Sequence, residues 1–278
     1  MNPFSLKKVK ETLKKYGLQP SKGLGQNFLI DGAAVRKMIE AAEINPEDTI
    51  LEIGPGLGVL TQELAQKAER VLAIEKDPEM VRILQETLKE CEKTEIVQGD
   101  ALKIESYKLK TEKYKVVGNL PFYLTAPLIR RFLEKETIKP QEMVFIVQKE
   151  VARRICSKPP EMNLLAVSVQ FYSQPKIVSY IPKGSFWPQP KVDAAILKII
   201  PAKPGLADEE RGLFFRIVKA GFSQPRKQLI NNLSAGLNME KEKIAEWLKE
   251  NNVSPQQRAE TLKIEDWLKL TKNLKMEE

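Results

Sequence analysis

Histidine is absent from the sequence, and cysteine occurs only twice, at Cys91 and Cys156. The absence of histidine excludes a histidine general base and the common zinc sites, and two isolated cysteines give neither a disulfide framework nor a metal-ligand spacing. No apolar run approaches the ~20 residues that a membrane span needs, and the early lysines precede no apolar stretch of the kind found in a secretory signal. We therefore expect a reduced, cytoplasmic protein with no metal and no membrane contact.

Positive charge is in excess and unevenly distributed. The formal net charge is +8, and residues 1–23 carry six lysines against the single acid Glu11, whereas residues 238–278 are slightly acidic. A local basic field suits a polyanionic partner, because each neutralised phosphate releases condensed counterions. A lysine-rich surface that merely favours solubility explains the charge equally well, so charge alone leaves nucleic-acid binding open.

Strand and helix patterns alternate along most of the chain. A basic amphipathic helix is predicted at the N-terminus, and apolar residues at helical spacing predict further helices between apolar runs that predict strands. Repeated strand-then-helix units with short connections indicate an α/β fold, with a Rossmann-like, mostly parallel sheet and helices on both faces. The predicted strands are residues 49–53, 71–74, 95–97, 115–117, 143–147 and 191–200.

Prolines and a glycine at residues 201–205 interrupt this alternation. Beyond them only helical periodicity remains, over residues 213–220, 226–237, 241–250 and 264–272. The sequence therefore predicts two domains: an α/β domain over residues 1–204, which includes the basic N-terminal helix, and a small helical domain over residues 205–278.

Three glycines, Gly54, Gly56 and Gly58, follow the first predicted strand and precede a helix. Glycine permits a positive φ and lets a ligand approach the backbone closely. A dinucleotide fingerprint needs its third glycine one position later, where this chain has Val59. The spacing therefore argues against NAD and favours the Gly-x-Gly-x-Gly loop of methyltransferases that use S-adenosylmethionine.

An acidic residue ends the second predicted strand, and another follows the third. Glu75 is placed to accept hydrogen bonds from both ribose hydroxyls of a nucleoside, and Asp100 is placed to accept one from its adenine amine. Taken singly, a glycine loop is often a tight turn and a strand-end acid is often a helix cap. Three such signals at successive strand ends favour a ligand, because open α/β sheets bind ligands beyond the carboxyl ends of their strands. We predict that Gly54, Gly56, Glu75 and Asp100 bind S-adenosylmethionine.

An Asn-Leu-Pro-Phe segment at 119–122 follows the fourth strand. The exocyclic nitrogen of adenine is a poor nucleophile, because its lone pair is delocalised into the ring. Two oxygens that accept its N–H bonds would favour a pyramidal nitrogen, and the Asn119 side chain and the Leu120 backbone carbonyl can supply them. Pro121 fixes the turn, and Phe122 offers a face on which a flipped-out base can stack. A plain strand-to-helix turn is the alternative interpretation.

A second aromatic segment, residues 185–193, contains Phe186 between a serine and alternating prolines. Stiffened by those prolines, the chain would hold Phe186 outward as the opposite wall of a base pocket. The alternative is a rigid loop with Phe186 and Trp187 in the core.

Methyl transfer from a sulfonium releases a neutral thioether without metal or acid. Positioning and polar preorganisation therefore suffice, and the missing histidine is no obstacle to this reaction.

Together these segments resemble the ribosomal RNA adenine dimethyltransferase family over nearly the whole chain. The resemblance implies a class I S-adenosylmethionine-dependent methyltransferase domain followed by a small helical domain, and it adds Asn27, Leu29 and Asn119 to the cofactor contacts. The implied reaction is dimethylation of two adjacent adenosines near the 3′ end of 16S ribosomal RNA in the small subunit or its 30S precursor. The segments that carry the resemblance are residues 25–29, 52–58, 75, 99–100, 119–122 and 186–192.

Basic residues in two places are candidate contacts to RNA phosphates: Lys14 and Lys15 in the first helix, and Arg226 and Lys227 after residue 204. Ordinary helix-surface charge explains any one of them equally well. The small helical domain is accordingly predicted to bind RNA, and we expect a monomer.

Two departures and several rivals qualify the resemblance. Phe122 stands where the family more often has tyrosine; phenylalanine keeps the stacking but lacks the hydroxyl. Ala194 stands where serine is frequent.

Residues 221–233 and 258–262 favour the small-subunit branch over its antibiotic-resistance relatives, which dimethylate 23S ribosomal RNA. A non-catalytic assembly or transcription factor that retains the fold is a second rival. DNA adenine methyltransferases are disfavoured, because they typically carry two prolines in the reactive loop.

Overall fold

The computed structural model of the protein describes residues 5–21, 23–103, 111 and 113–274. The chain divides into two compact units. The larger unit comprises the residues up to Ala152 together with Pro175–Pro201, and the smaller unit comprises Arg153–Gln174 together with the residues from Ala202 onwards. Lys22 of the basic N-terminal stretch and residues 275–278 of the predicted helical domain lie outside the described residues.

A seven-stranded sheet forms the centre of the larger unit, in the order β4-β3-β2-β5-β6-β9-β7. Neighbours from β4 to β6 are parallel, and β9 runs antiparallel to β6. A second, two-stranded antiparallel sheet joins β1 to β8. The strands are β1 (Phe28–Leu29), β2 (Thr49–Ile53), β3 (Arg70–Glu75), β4 (Thr94–Gln98), β5 (Tyr114–Asn119), β6 (Glu142–Gln148), β7 (Ser173–Ile181), β8 (Phe186–Trp187) and β9 (Ala194–Pro201).

Helices follow most of these strands and pack against the sheet, which confirms the predicted α/β class. A π-helical turn, Arg131–Lys135, continues α5. The α-helices are α1 (Leu6–Lys15), α2 (Gly32–Ala41), α3 (Val59–Lys67), α4 (Pro78–Thr87), α5 (Thr125–Arg130), α6 (Lys149–Ile155), α7 (Leu164–Gln170), α8 (Asp208–Gly221), α9 (Leu229–Leu237), α10 (Lys241–Glu250) and α11 (Ile264–Lys272). None of the helices in the described ranges has the length and apolar character that crossing a bilayer requires.

The apolar face of α2 packs against the sheet. Val35 and Met38 are fully buried in one cluster with Val117 of β5 and Ile196 of β9. The helix begins where the Asp31 side chain accepts hydrogen bonds from the N–H groups of the first turn, at 2.9 Å from Ala33. Capping of this kind satisfies donors that have no partner within the helix. The position of α2 is thus fixed by packing along its length and by a cap at its start.

Two buried lysines close the other end of α2. The Lys115 ammonium donates to the carbonyl oxygens of Ala42 at 3.0 Å and Glu43 at 2.7 Å. The Lys198 ammonium donates to the carbonyl oxygen of Ala41 at 2.9 Å and pairs with Glu142 at 2.8 Å. Cations suit a helix C-terminus, where carbonyls lack partners and the dipole is negative. This lysine cluster could not be predicted from local sequence patterns, because its members come from distant segments.

Helix α1 packs through Val9 and Leu13, which are both buried, against Phe28 and Leu57. The basic amphipathic helix predicted at the N-terminus is therefore present, with its apolar stripe inward and its lysines outward. Because Leu57 belongs to the glycine loop after β2, this packing places α1 beside that loop.

The smaller unit is helical, and its helices approach closely at small residues. A Cβ added to Gly236 of α9 would lie 2.5 Å from the Cβ of Ala220 in α8, and one added to Gly221 would meet the Trp267 ring at the same distance. The sequence predicts a division after residue 204, and it does not assign residues 153–174 to the helical part. That division, and the RNA-binding role given to the helical part, stay predictions.

Candidate active site

One cavity lies beyond the carboxyl ends of β2, β3 and β5. Its lining includes every residue that the sequence analysis placed in the cofactor site or the reaction site. These residues come from six separate stretches of the chain, and only the crossover topology brings them together. They are Asn27, Leu29, Gly54, Gly56, Glu75, Asp100, Asn119, Leu120, Pro121, Phe122 and Phe186.

The glycine loop requires glycine at three places. Gly54, Gly56 and Gly58 have φ angles of 66°, 59° and 78°, in the left-handed region that residues with a Cβ rarely adopt. A Cβ at Gly58 would also approach the Leu84 side chain to 2.9 Å. The loop therefore turns tightly from β2 into α3 and borders the cavity.

Glu75 ends β3 and is 8% exposed. Its Oε2 accepts a hydrogen bond from the Gly56 N–H at 3.2 Å, and its Oε1 accepts one from the Asp77 N–H at 2.9 Å. Burial raises the pKa of the Glu75 carboxyl above its usual value, while these two backbone donors work in the opposite direction. Since each carboxylate oxygen can accept a second hydrogen bond, Glu75 braces the glycine loop and still offers acceptors to a ligand diol.

Asp100 lies at the cavity beyond β4. Its Oδ1 accepts from the Leu102 N–H at 3.0 Å, and its Oδ2 pairs with the Lys76 ammonium at 3.0 Å. The Leu102 N–H, together with Lys76, holds the pKa of the Asp100 carboxyl below its usual value. Lys76, which the sequence analysis did not single out, also lines the cavity.

Glu52 is a second cavity residue that the sequence analysis did not select. The side chain is 1% exposed, and among the described residues its Oε2 has no hydrogen-bond partner. Burial raises the pKa of the Glu52 carboxyl to about 8. The available signal was an acid between two isoleucine or leucine neighbours in the strand TILEI, directly before the glycine loop. A buried neutral carboxyl beside a ligand cavity can ionise when a cationic ligand arrives.

Glu52→Gln should change how stability depends on pH. In the wild type, the folded protein retains the Glu52 proton up to about pH 8, whereas the unfolded chain loses it near the usual 4.5. The wild type therefore loses stability as pH rises through this window, by at most ~1.4 kcal/mol per pH unit. Glutamine does not titrate, so the stability of the variant relative to wild type should increase from pH 5 to pH 8.

Urea unfolding at pH 5, 6, 7 and 8 measures this difference. Glu79→Gln, at an exposed position on α4, is the matched control and should give a flat difference. A flat difference for Glu52→Gln as well would mean that Glu52 is already ionised at pH 5.

Asn119 is the last residue of β5, and its orientation is defined by a neighbour. The Asn119 Nδ2 donates to the backbone carbonyl oxygen of Asn27 at 2.9 Å, and the Asn27 Nδ2 in turn donates to the Gly25 carbonyl at 3.0 Å. An amide whose nitrogen is engaged as a donor presents its oxygen as the acceptor. No hydrogen bond to the Asn119 Oδ1 occurs in the described part of the chain, so this oxygen remains an acceptor beside the cavity.

Phe122 and Phe186 both line the cavity but differ in exposure. Phe122 is partly exposed, whereas Phe186 is 4% exposed and packs in the core cluster of α2. The expectation that the prolines hold Phe186 outward is therefore wrong. Strand pairing explains the burial, because β8 pairs with β1 and Phe186 lies opposite Leu29.

A side-chain hydrogen bond fixes this junction. The Ser185 hydroxyl donates to the Asp31 Oδ2 at 2.8 Å, and the Ile30 N–H donates to the Ser185 carbonyl at 2.9 Å. The Ser185 hydroxyl holds the pKa of the Asp31 carboxyl below its usual value. Asp31 thus caps α2 and ties the segment that carries Leu29 to the segment that carries Phe186.

The four candidate RNA contacts are exposed, in two separate places. Lys14 and Lys15 lie on the last turn of α1, where Lys15 pairs with Glu86 of α4. Arg226 and Lys227 lie in the turn before α9, not inside a helix as the periodicity suggested. Buried Asn232 holds that turn, because its Nδ2 donates to the carbonyl oxygens of Gly221 at 2.7 Å and Gln224 at 3.0 Å.

The parallel sheet with its antiparallel β9, together with a glycine loop beyond β2, defines a class I S-adenosylmethionine-dependent methyltransferase. A family model described as ribosomal RNA adenine dimethylase matches residues 18–276. The chain belongs to this ribosomal RNA adenine dimethylase family.

Similar proteins agree with this membership. The chain is 41% identical to the ribosomal RNA small subunit methyltransferase A of Dehalococcoides mccartyi, over 96% of this chain and 93% of that protein. Among solved structures it is similar to the 23S rRNA methyltransferase ErmE, with a TM-score of 0.74 and 27% identity over 88% of this chain and 98% of that one. It is also similar to a dimethyladenosine transferase from Plasmodium falciparum, with a TM-score of 0.70 and 26% identity over 87% and 95% of the two chains.

These findings confirm the predicted family and the predicted enzyme class, an S-adenosylmethionine-dependent ribosomal RNA adenine dimethyltransferase. The geometry brings the predicted cofactor and reaction residues to one cavity, and the roles of individual residues stay predictions.

Proposed function

We propose that the protein transfers methyl groups from S-adenosylmethionine to N6 of two adjacent adenosines near the 3′ end of 16S ribosomal RNA, and that it acts during biogenesis of the small subunit. The observation that carries the proposal is the single cavity that joins the glycine loop, Glu75 and Asp100 to the 119–122 segment. The small-subunit substrate is supported by the name of the relative from Dehalococcoides mccartyi, which is 41% identical, against 27% for the 23S enzyme.

The cavity residues fit S-adenosylmethionine by their chemistry. In this proposal Glu75 accepts from the ribose hydroxyls and Asp100 accepts from the adenine amine, while Asn27, Leu29, Gly54 and Gly56 border the rest of the molecule. Glu52 places in the same cavity a buried Oε2 that has no hydrogen-bond partner among the described residues, which suits a cofactor that carries positive charge. When bound, the cofactor supplies a methyl group on a sulfonium that departs as a neutral thioether.

The chain's own residues prepare the target nitrogen. The Asn119 Oδ1, oriented by the hydrogen bond from Nδ2 to Asn27, accepts one N–H of the adenine amine, and the Leu120 carbonyl accepts the other. These contacts favour the pyramidal nitrogen of the transition state over the planar ground state, which is where binding accelerates a reaction. Phe122 stacks on the base, and buried Phe186 closes the opposite side.

Domain roles follow from this assignment. Residues 1–204 carry out methyl transfer, residues 205–278 bind RNA, and the enzyme is a metal-free monomer in the proposal. Lys14, Lys15, Arg226 and Lys227 contact phosphates. The intact 119–122 segment and the complete set of cofactor residues argue against a non-catalytic assembly or transcription factor.

Incubation with unmethylated small and large ribosomal subunits and a labelled methyl donor tests the proposal. Label is expected on two adjacent adenosines of 16S RNA only. Label on 23S RNA would assign the protein to the resistance-type branch, and binding of the small subunit without label would assign it to non-catalytic assembly.

Charge reversal at Lys14 should weaken RNA binding and flatten its dependence on salt. Each lost contact to a phosphate of single-stranded RNA lowers the slope of log affinity against log salt by ~0.7. Lys15→Glu should do the same and also lower the midpoint of thermal unfolding, because Lys15 pairs with Glu86. Lys67→Glu, at the far end of α3, is the control. An unchanged slope for Lys14→Glu would remove Lys14 from the RNA interface.

A further inference from the structure

A cluster of lysine, tyrosine and aspartate lies at the rim of the cavity, outside the residues already assigned. It consists of Lys149, Tyr180, Lys183 and Asp193 and is called the rim cluster below. Lys149 directly follows β6, and its N–H donates to the Asp193 carbonyl at 3.0 Å. Asp193 directly precedes Ala194, which lines the cavity. The rim cluster therefore borders the side of the cavity formed by β6 and β9.

The rim cluster is held together by one acid. The Lys149 ammonium lies 5.2 Å from the centre of the Tyr180 ring and 3.5 Å from the Asp193 Oδ2. The other oxygen of Asp193 accepts a hydrogen bond from the Lys183 backbone N–H at 3.1 Å. That N–H, and then the Lys149 side chain, hold the pKa of the Asp193 carboxyl below its usual value. Asp193 thus orients two lysine-bearing segments beside one aromatic ring.

Tyr180 and a neighbour on its strand are exposed to solvent. Tyr180 is 47% exposed and Val178, two residues earlier on β7, is 41% exposed. Alternate residues of a strand share a face, so exposed Lys176 lies on this face as well. Exposed aromatic and aliphatic side chains beside lysines are a pattern that nucleic-acid-binding surfaces use, since rings stack on bases and ammonium groups meet phosphates.

Charge favours RNA over a protein as the occupant. Residues 175–193 contain three lysines and one acid, and that acid, Asp193, is engaged within the cluster. The same stretch contains three aromatic residues, Tyr180, Phe186 and Trp187. A base that enters the cavity must leave its stack, so the nucleotide beside it loses a stacking partner and gains from an aromatic surface nearby.

We propose that the rim cluster binds the nucleotide next to the target adenosine, with its base stacked on Tyr180 and its phosphates beside Lys149 and Lys183. The proposal rests on the proposed function, because it requires single-stranded RNA to enter the cavity. It adds a substrate contact to a strand that the cofactor site and the reaction site do not use.

Replacement of Tyr180 in the full-length protein tests the stacking. Tyr180→Ala should weaken binding of a short single-stranded RNA that carries the two target adenosines by about 5- to 30-fold, as loss of one stacked base does. Tyr180→Phe keeps the ring and should bind within about twofold of wild type, while S-adenosylmethionine affinity stays unchanged in both variants. Ile200→Ala is the control, because Ile200 is 44% exposed on β9 but outside the cluster.

A fluorescent adenine analogue placed beside the target reports the stacking directly. Its emission should be quenched by wild type and Tyr180→Phe and remain bright with Tyr180→Ala. Lys183→Glu should lower the salt slope of binding by about one. If Tyr180→Ala binds and quenches like wild type, the proposal is overturned. It is also overturned if the variant loses affinity only for whole subunits and not for naked RNA, because the occupant is then a protein.

The same samples separate this proposal from the proposed function. If wild type methylates small subunits while the Tyr180 variants match it in RNA binding, the rim-cluster proposal alone fails. If wild type binds and quenches the RNA through Tyr180 but leaves 16S RNA unlabelled, the methylation proposal alone fails.

Discussion

Asn119→Ala is expected to lower the single-turnover rate of methyl transfer by ~10²–10³-fold, the usual cost of removing one preorganised polar contact to a transition state. The affinity for RNA should remain within a few-fold of wild type, because Asn119 is one of many residues that border the cavity. Quench-flow measurement of label transfer, with RNA affinity measured separately, distinguishes the two effects.

Asn119→Asp sharpens this test, because it keeps an acceptor oxygen and removes the donor. The wild-type Nδ2 donates to the Asn27 carbonyl at 2.9 Å. A carboxylate has no hydrogen to donate there, and its second oxygen would face the Asn27 carbonyl with like partial charge. Asn119→Asp is therefore expected to be nearly as slow as Asn119→Ala. Near-wild-type transfer by either variant would show that the target amine finds its acceptors elsewhere.

Glu75→Ala is expected to weaken S-adenosylmethionine binding by at least ~30-fold, since two hydrogen bonds to a charged acceptor are lost. Glu75 also braces the glycine loop through the Gly56 and Asp77 N–H groups. Part of the loss should therefore appear as disorder of the loop and not only as missing ligand contacts.

Calorimetric titration of wild type, Glu75→Ala and Glu75→Gln separates the two parts. Glutamine keeps one acceptor oxygen and should lie between the other two in affinity. Glu79→Ala, at an exposed site on the adjacent helix α4, controls for the loss of negative charge. Unchanged affinity in Glu75→Ala would remove Glu75 from the cofactor site.

The local signals in the sequence were enough to predict the central strands. Residues 49–53 form a strand with those bounds, and Pro78 begins α4 because its missing N–H costs nothing at a first helical position. The predicted strand at 191–200 instead begins at Ala194, because Asp193 bonds across to Lys183 and holds the preceding residues in a loop. Strand β7 was not predicted, because its polar and apolar residues do not alternate regularly in the sequence and because Pro175 argues against a strand.

Site residues could be predicted from the sequence where they belong to a motif with a recognisable chemistry. Residues whose properties depend on contacts with distant parts of the chain could not. Glu75 and Asn119 each end a strand and Gly54 directly follows one, and the parallel sheet brings such positions to one edge. Glu52 and Lys76 could be identified only from the structure. Burial raises the pKa of Glu52, and Lys76 is placed at the cavity by its ion pair with Asp100. The burial of Phe186 depends on pairing with β1, a two-residue strand too short for any periodicity to reveal.

That short β1–β8 ladder has a thermodynamic consequence. Leu29, assigned to the methyl donor, and Phe186, assigned to the base, are opposite residues of one backbone pairing, reinforced by the Ser185–Asp31 hydrogen bond. In the proposed function, a displacement of either strand displaces the other, so we expect the affinities for the donor and for RNA to be coupled. By reciprocity, whatever factor the donor imposes on RNA affinity, RNA must impose on donor affinity. We therefore expect each exchange of spent donor for fresh donor to change the affinity of the enzyme for its RNA.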